Sequence, residues 1–154
     1  MQTDIAKMQT DKLLFRELTY KIIGICYRIH TSLGCGFPEK VYQKALEIEF
    51  HKEGITYETE KAFRVLYNKE AIGRFRLDMV IDGKVVIELK AVERLPNVFR
   101  EQIISQLKAS PYEVGLLVNF GSSKLEYLRI ARSKPIRLHP CLRQAGVIIR
   151  LNLL

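Results

Sequence analysis

The stretch Gly83–Ala91, GKVVIELKA, constrains the fold more than any other part of the chain. Val85, Val86 and Ile87 suit a strand buried on both faces, yet Glu88 and Lys90 follow directly. Side chains alternate along a strand, so Glu88 and Lys90 share one face and Leu89 takes the other. Charges at the end of an apolar strand are costly unless they are paired or used. Upstream, across Asp82-Gly83, a second strand-like segment, RFRLDMVI, carries Asp78. A two-residue turn at Asp82-Gly83 would pair Asp78 with Ile87 and turn it away from Glu88. A three-residue loop, or a bulge with Gly83 left-handed, shifts the register by one and brings Asp78 onto the face of Glu88 and Lys90.

In the second register two carboxylates stand side by side and repel each other unless a cation lies between them. Hard oxygen ligands of this kind select Mg²⁺ or Mn²⁺. Lys90 would then supply a positive donor for developing phosphate charge or for an attacking water. The plainer reading is a surface ion pair beside an unrelated aspartate. Short charged patterns arise often by chance, and the D…ExK spacing alone favours that plainer reading.

The rest of the chain reads as one mixed α/β domain spanning residues 1–154. Leu18, Ile22, Cys26, Ile29 and Leu33 recur at spacings of three and four, the stripe of a helix starting near Leu14, and the glycines of GCG at 34–36 stop it. FPEKVYQKALEIEFHKEG begins a second helix, with Pro38 at its first position and Glu39 in its first turn. Val41, Ala45, Leu46 and Ile48 supply the apolar side of this helix, which Gly54 ends. Three strand-like segments follow, then a helix from about Asn97 to Ala109 with Val98, Phe99, Ile103, Ile104 and Leu107 as its apolar positions. VGLLVNF reads as a buried strand and KLEYLRIA as a partner strand.

Charge narrows the function classes. The net charge is +8, and most of the excess falls late in the chain, where Lys124, Arg129, Arg132, Lys134, Arg137, Arg143 and Arg150 face Glu126 alone. Such a segment, basic from about residue 133 especially, suits a phosphate backbone, and a solubilising surface fits its composition equally well. No apolar run is long enough to span a membrane, and no apolar leader opens the chain, so a cytoplasmic location is expected. The three cysteines, Cys26, Cys35 and Cys141, are too scattered for a disulfide framework or a structural zinc site.

GFPEKVY, Gly36 to Tyr42, resembles the G-x-x-E-x-x-Y signature of the GxxExxY family, which belongs to the PD-(D/E)xK nuclease superfamily. The likeness continues, in order and spacing, through LDMVIDGKVVIELKAVERL, QIISQLK and VGLLVNFGSSKLEYLRI. The resemblance implies a restriction-endonuclease-like single domain, a mixed central sheet flanked by helices. It also implies Mg²⁺- or Mn²⁺-dependent hydrolysis of phosphodiester bonds, with DNA as the expected partner. Metal-holding roles fall on Asp78, Glu88 and Glu39, and catalytic roles on Lys90, Glu39 and Gln102. The chain departs from the family pattern at Gln106, where a helix motif has Tyr, at Phe99, where His is common, and at Cys35.

Other features rank lower. His30 sits near the apolar stripe of the first helix and reads as a packing or surface residue, although relatives often carry a His here. Tyr42 shares a helix face with Glu39 and reads as packing. Cys35 has no neighbour in sequence that would lower its pKa. Two rivals to the nuclease stand: a non-catalytic nucleic-acid-binding or assembly module on the same fold, and a small-molecule enzyme using Cys35. A homodimer fits the sequence as well as a monomer does.

Overall fold

The structure, a computed structural model, describes residues 14–132. Its order is α1 (Arg16–Leu33), α2 (Glu39–Lys52), β1 (Tyr57–Tyr67), β2 (Glu70–Ile81), β3 (Val85–Lys90), α3 (Asn97–Lys108), β4 (Val114–Asn119) and β5 (Glu126–Ala131). The five strands form one mixed sheet in sequence order, with β3 and β4 parallel and every other neighbouring pair antiparallel. Helix α3 makes the crossover that parallel pairing requires. This is the restriction-endonuclease-like architecture expected from the sequence. Among the described residues, no helix is long and apolar enough to cross a membrane. Cys141 and the basic run from about residue 133 lie outside the described residues.

Alternation along β3 divides the interior. Val85, Ile87 and Leu89 join Met79 and Ile81 in a core packed with Ile22, Ile25 and Ile29 of α1 and Tyr42, Leu46 and Phe50 of α2. Val86 and Val80 belong to a second cluster with Leu107 of α3 and Tyr112. Gly115 lets α3 approach, since a Cβ there would sit 2.7 Å from Ile103 Cδ1.

Two expectations about helix faces need correcting. In α2 the core-facing row is Tyr42, Leu46 and Phe50, whereas Val41 and Ile48 are exposed. The aromatic rings decide the orientation because they bury the largest area. Tyr42 stacks on Phe120 at 4.6 Å between centroids, and Phe50 packs against Tyr57. In α3, Val98 is likewise exposed, and Gln106 takes an inward position that periodicity assigned to apolar residues only.

The β1–β2 hairpin outruns the sheet. β2 pairs with β3 only over Met79–Ile81, and beyond Asp78 the hairpin continues as a two-stranded ribbon. Glu60, lying between the Thr59↔Met79 and Lys61↔Leu77 pairs, is left-handed at φ 52°. There the ribbon is re-aimed, so that Phe63 and Leu77, with Phe75, pack into the α3-side cluster.

Candidate active site

The register question is settled by the turn. Asp82 and Gly83 both have positive φ, 52° and 62°, and Lys84 N–H donates to the Ile81 carbonyl at 2.9 Å. Ile81 pairs with Val85, so three residues, Asp82 to Lys84, form the loop. Glycine suits this conformation because it has no Cβ to strain. Continuing the Met79↔Ile87 register by one residue puts Asp78 opposite Glu88. Asp78 is tied to β3 one residue further on, Leu89 N–H donating to Asp78 Oδ2 at 2.8 Å.

Glu88 is almost fully buried, at 2% exposure, and its carboxylate is ringed by donors. Lys90 Nζ and Gln102 Nε2 both donate to Oε1, at 2.7 and 2.6 Å. Gln106 Nε2 donates to Oε2 at 2.9 Å. The two glutamines stand one turn apart on α3, four residues being the spacing that aligns side chains on a helix. Lys90 is held from a second side by Phe99, whose ring centroid lies 4.7 Å from Nζ. The sequence identified Gln102. It marked Gln106 and Phe99 only as departures, and both prove to touch the charged group at the centre of the site.

Asp78 experiences the electrostatic consequence. Burial pushes its carboxyl up to about 6, with Glu88 and, more weakly, Glu39 adding to the rise. The Leu89 N–H and Lys90 oppose it. Glu39 is the first residue of α2 and exposed, near enough to act on Asp78 through space. Among the described residues, no three His, Cys, Asp or Glu side chains converge as a ready metal cluster.

The chain leaving β3 is clamped on the other side of the site. Asn119 accepts from Val92 N–H at 3.0 Å and donates to the Val92 carbonyl and to Glu126 Oε2, both at 2.8 Å. Gly121 lies so close to this segment that a Cβ would fall 2.3 Å from Val92 N and 2.4 Å from the Ala91 carbonyl carbon. Together they fix the direction in which Lys90 ends its strand.

Two of the residues ranked lower in the sequence, Tyr42 and His30, tie backbone in place. Tyr42 O–H donates to the Gly34 carbonyl at 2.7 Å and accepts from Phe37 N–H, pinning the loop before Glu39. His30 Nε2 donates to the Ser122 carbonyl at 2.9 Å. Burial pushes the Cys26 thiol up to about 12, and Cys35 is exposed. Arg129 and Arg132, expected on a basic phosphate-facing segment, turn inward instead. Arg129 donates to the Leu14 carbonyl, and Arg132 to those of Leu107 and Ser110 at 2.8 and 3.2 Å. A guanidinium has five donors in a fixed fork, which suits it to tying carbonyls at the end of a helix.

Fold and site together define a nuclease-like protein: a mixed sheet whose central hairpin sets an aspartate against an E-x-K strand. A family model described as PD-(D/E)XK nuclease superfamily matches residues 16–130, and the chain belongs to that superfamily. No curated protein and no solved structure matches it.

Proposed function

We propose that the protein is a metal-dependent nuclease of the GxxExxY kind, hydrolysing phosphodiester bonds in DNA. One observation carries this reading: the hairpin register, extended by one residue, sets Asp78 opposite Glu88, with Lys90 and Gln102 bonded to the same Glu88 carboxylate oxygen. The donor set fits a hard divalent ion. Two carboxylates share a half-dry site, and the Asp78 carboxyl is pushed up chiefly by burial and next by the Glu88 charge, both of which a bound cation would relieve. The Gln106 Oε1 atom beside them is buried without a donor, one more oxygen turned to no protein partner.

Asp78 and Glu88 would hold Mg²⁺ or Mn²⁺, with the Leu89 carbonyl as a further oxygen and Glu39 acting from the rim. When bound, such an ion supplies Lewis-acid stabilisation of phosphate charge. The chain's own residues do the rest. Gln102 and Gln106 hold the plane of Glu88 by hydrogen bonds to both its oxygens. Phe99 shields one side of Lys90, keeping the ammonium close to where charge develops. Lys90 then donates to the attacking water or to a phosphate oxygen, an electrostatic contribution of the kind worth ~3–4 kcal/mol in transition-state stabilisation.

The test is cleavage of labelled DNA and RNA with Mn²⁺, with Glu88→Ala as control and chelator as blank. Metal-dependent cleavage of DNA lost in Glu88→Ala is the expected result. Cleavage that survives the substitution or the chelator would sink the proposal. Equal binding of nucleic acid in chelator without any cleavage would favour a non-catalytic module on the same fold.

A further inference from the structure

The inward turn of Arg129 and Arg132 leaves open which cations meet a polyanion, and the β1–β2 ribbon supplies a set. Arg64 lies directly opposite Arg74, and Ala62 opposite Arg76, so Arg64 is also diagonal to Arg76. Phe63 and Phe75 stack at 5.3 Å and face the core with Leu77. Alternation therefore puts the three arginines together on the outer side, where all are exposed.

This arrangement has a cost. Like charges directly opposite on paired strands are destabilising, and the offset is slight: Arg76 acts on Glu60 only through space, and that carboxylate is already bonded to Lys40. Among the described residues, no side-chain hydrogen bond or ion pair is made by any of the three. The nearby acids are already engaged: Glu58 by Lys61 at 3.0 Å and Glu60 by Lys40 at 2.7 Å. The surplus lies beside the site, because Arg76 is two residues from Asp78 on the same strand. Arg74 and Arg76 are spaced by ~7 Å along it, from the rise per residue.

We infer that the outer face of the β1–β2 ribbon is a phosphate-backbone track, with Arg64, Arg74 and Arg76 each neutralising a phosphate of a nucleic acid that reaches Asp78 and Glu88. The inference rests on the nuclease reading for its direction toward the site, and it commits to a nucleic acid as the partner. Duplex DNA and duplex RNA offer the same chemistry, so both are used as probes.

The experiment is fluorescence anisotropy of labelled, mixed-sequence duplexes in chelator over a series of salt concentrations. It compares the full chain, the triple variant R64Q/R74Q/R76Q and R16Q, an exposed arginine on α1 outside the ribbon. Each phosphate contact contributes a slope of roughly −0.9 in log K against log salt. The triple variant should therefore lose between ~2 and ~3 units of slope and at least ~10-fold in low-salt affinity, alike for unrelated sequences. Its melting temperature should equal or exceed that of the parent, since an opposed pair of like charges is gone. R16Q should match the parent.

Unchanged slope in the triple variant, an equal loss in R16Q, or no binding of either duplex by the parent would overturn the inference. Stabilisation by Mn²⁺, and its loss in Asp78→Asn, is measured without nucleic acid. A failed track and a failed metal site can therefore be told apart.

Discussion

The two faces of β3 divide the labour of the molecule. Val85, Ile87 and Leu89 look toward α1 and α2 and meet only core, whereas Val86, Glu88 and Lys90 look toward α3 and end in the site. Both faces are buried, but what fills them differs in kind. On the first, aromatic and branched side chains are packed together, and removal of any one leaves a hole. On the second, a charge is enclosed by donors from three residues, Lys90, Gln102 and Gln106, and removal of any one leaves an unmet polar group. A single strand can do both because its side-chain period is two, and the loop Asp82–Lys84 selects which partner each face meets.

The largest expected effect separates the faces by stability. Ile87 is fully buried on the α1/α2 side, so Ile87→Ala should cost ~2–5 kcal/mol in urea unfolding. The folded fraction should still gain melting temperature with Mn²⁺, because no ligand has been removed. Loss of the Mn²⁺ response in a folded Ile87→Ala protein would show that the two faces are not separable.

How far the sequence reached depended on which interaction set each element. Periodicity located each strand and helix among the described residues because core formation dominates there. It misjudged the face of α2 only in part: Leu46 is in the core and Ala45 packs against it as expected, but Val41 and Ile48 are exposed, and Tyr42 and Phe50 take the inward positions against the rings of Phe120 and Tyr57. The register of Asp78 stayed two-valued because loop length depends on backbone φ at Asp82 and Gly83, which residue types allow but do not dictate. Gln106 was legible only as an oddity, a polar residue at an inward helical position, and that was the available signal for a partner of Glu88. The arginines were the least legible. Arg132 reads as tail charge in sequence and is a tie to the carbonyls of Leu107 and Ser110.

A smaller effect, distinct in sign, comes from Asp78. Its carboxyl titrates at about 6 in the folded protein against an ordinary 3.8, burial being the main cause. Between those values the folded protein keeps a proton that the unfolded chain has released. This group's contribution to stability therefore falls as pH rises through the window and is flat above it. Asp78→Asn can still accept from Leu89 N–H but carries no charge. In chelator, the stability of the variant relative to the parent should rise between about pH 4 and pH 7 and then level off. The variant should also lose its Mn²⁺ response. A difference that falls with pH would mean that Asp78 is stabilised as an anion and that the site does not call for a cation.

The smallest effect in chelator belongs to Glu39, which touches neither face of β3 and stands at the start of α2. An acid in the first turn gains ~0.3–1 kcal/mol from the helix dipole at an exposed position, and glutamine keeps part of that through hydrogen bonding. Opposing this gain is the repulsion that Glu39 adds at Asp78. In Glu39→Gln the two changes oppose each other, so the melting temperature in chelator should stay within about a degree or two of the parent. With Mn²⁺ the balance is different, because a negative charge beside a divalent ion strengthens its binding and binding to the folded state alone raises stability. The Mn²⁺-induced rise in melting temperature should therefore be largely lost in Glu39→Gln, while Glu47→Gln, one acid further along the same helix, retains it. Equal Mn²⁺ stabilisation in the parent and Glu39→Gln would reduce Glu39 to a helix-start residue and confine the metal site to the β2–β3 hairpin.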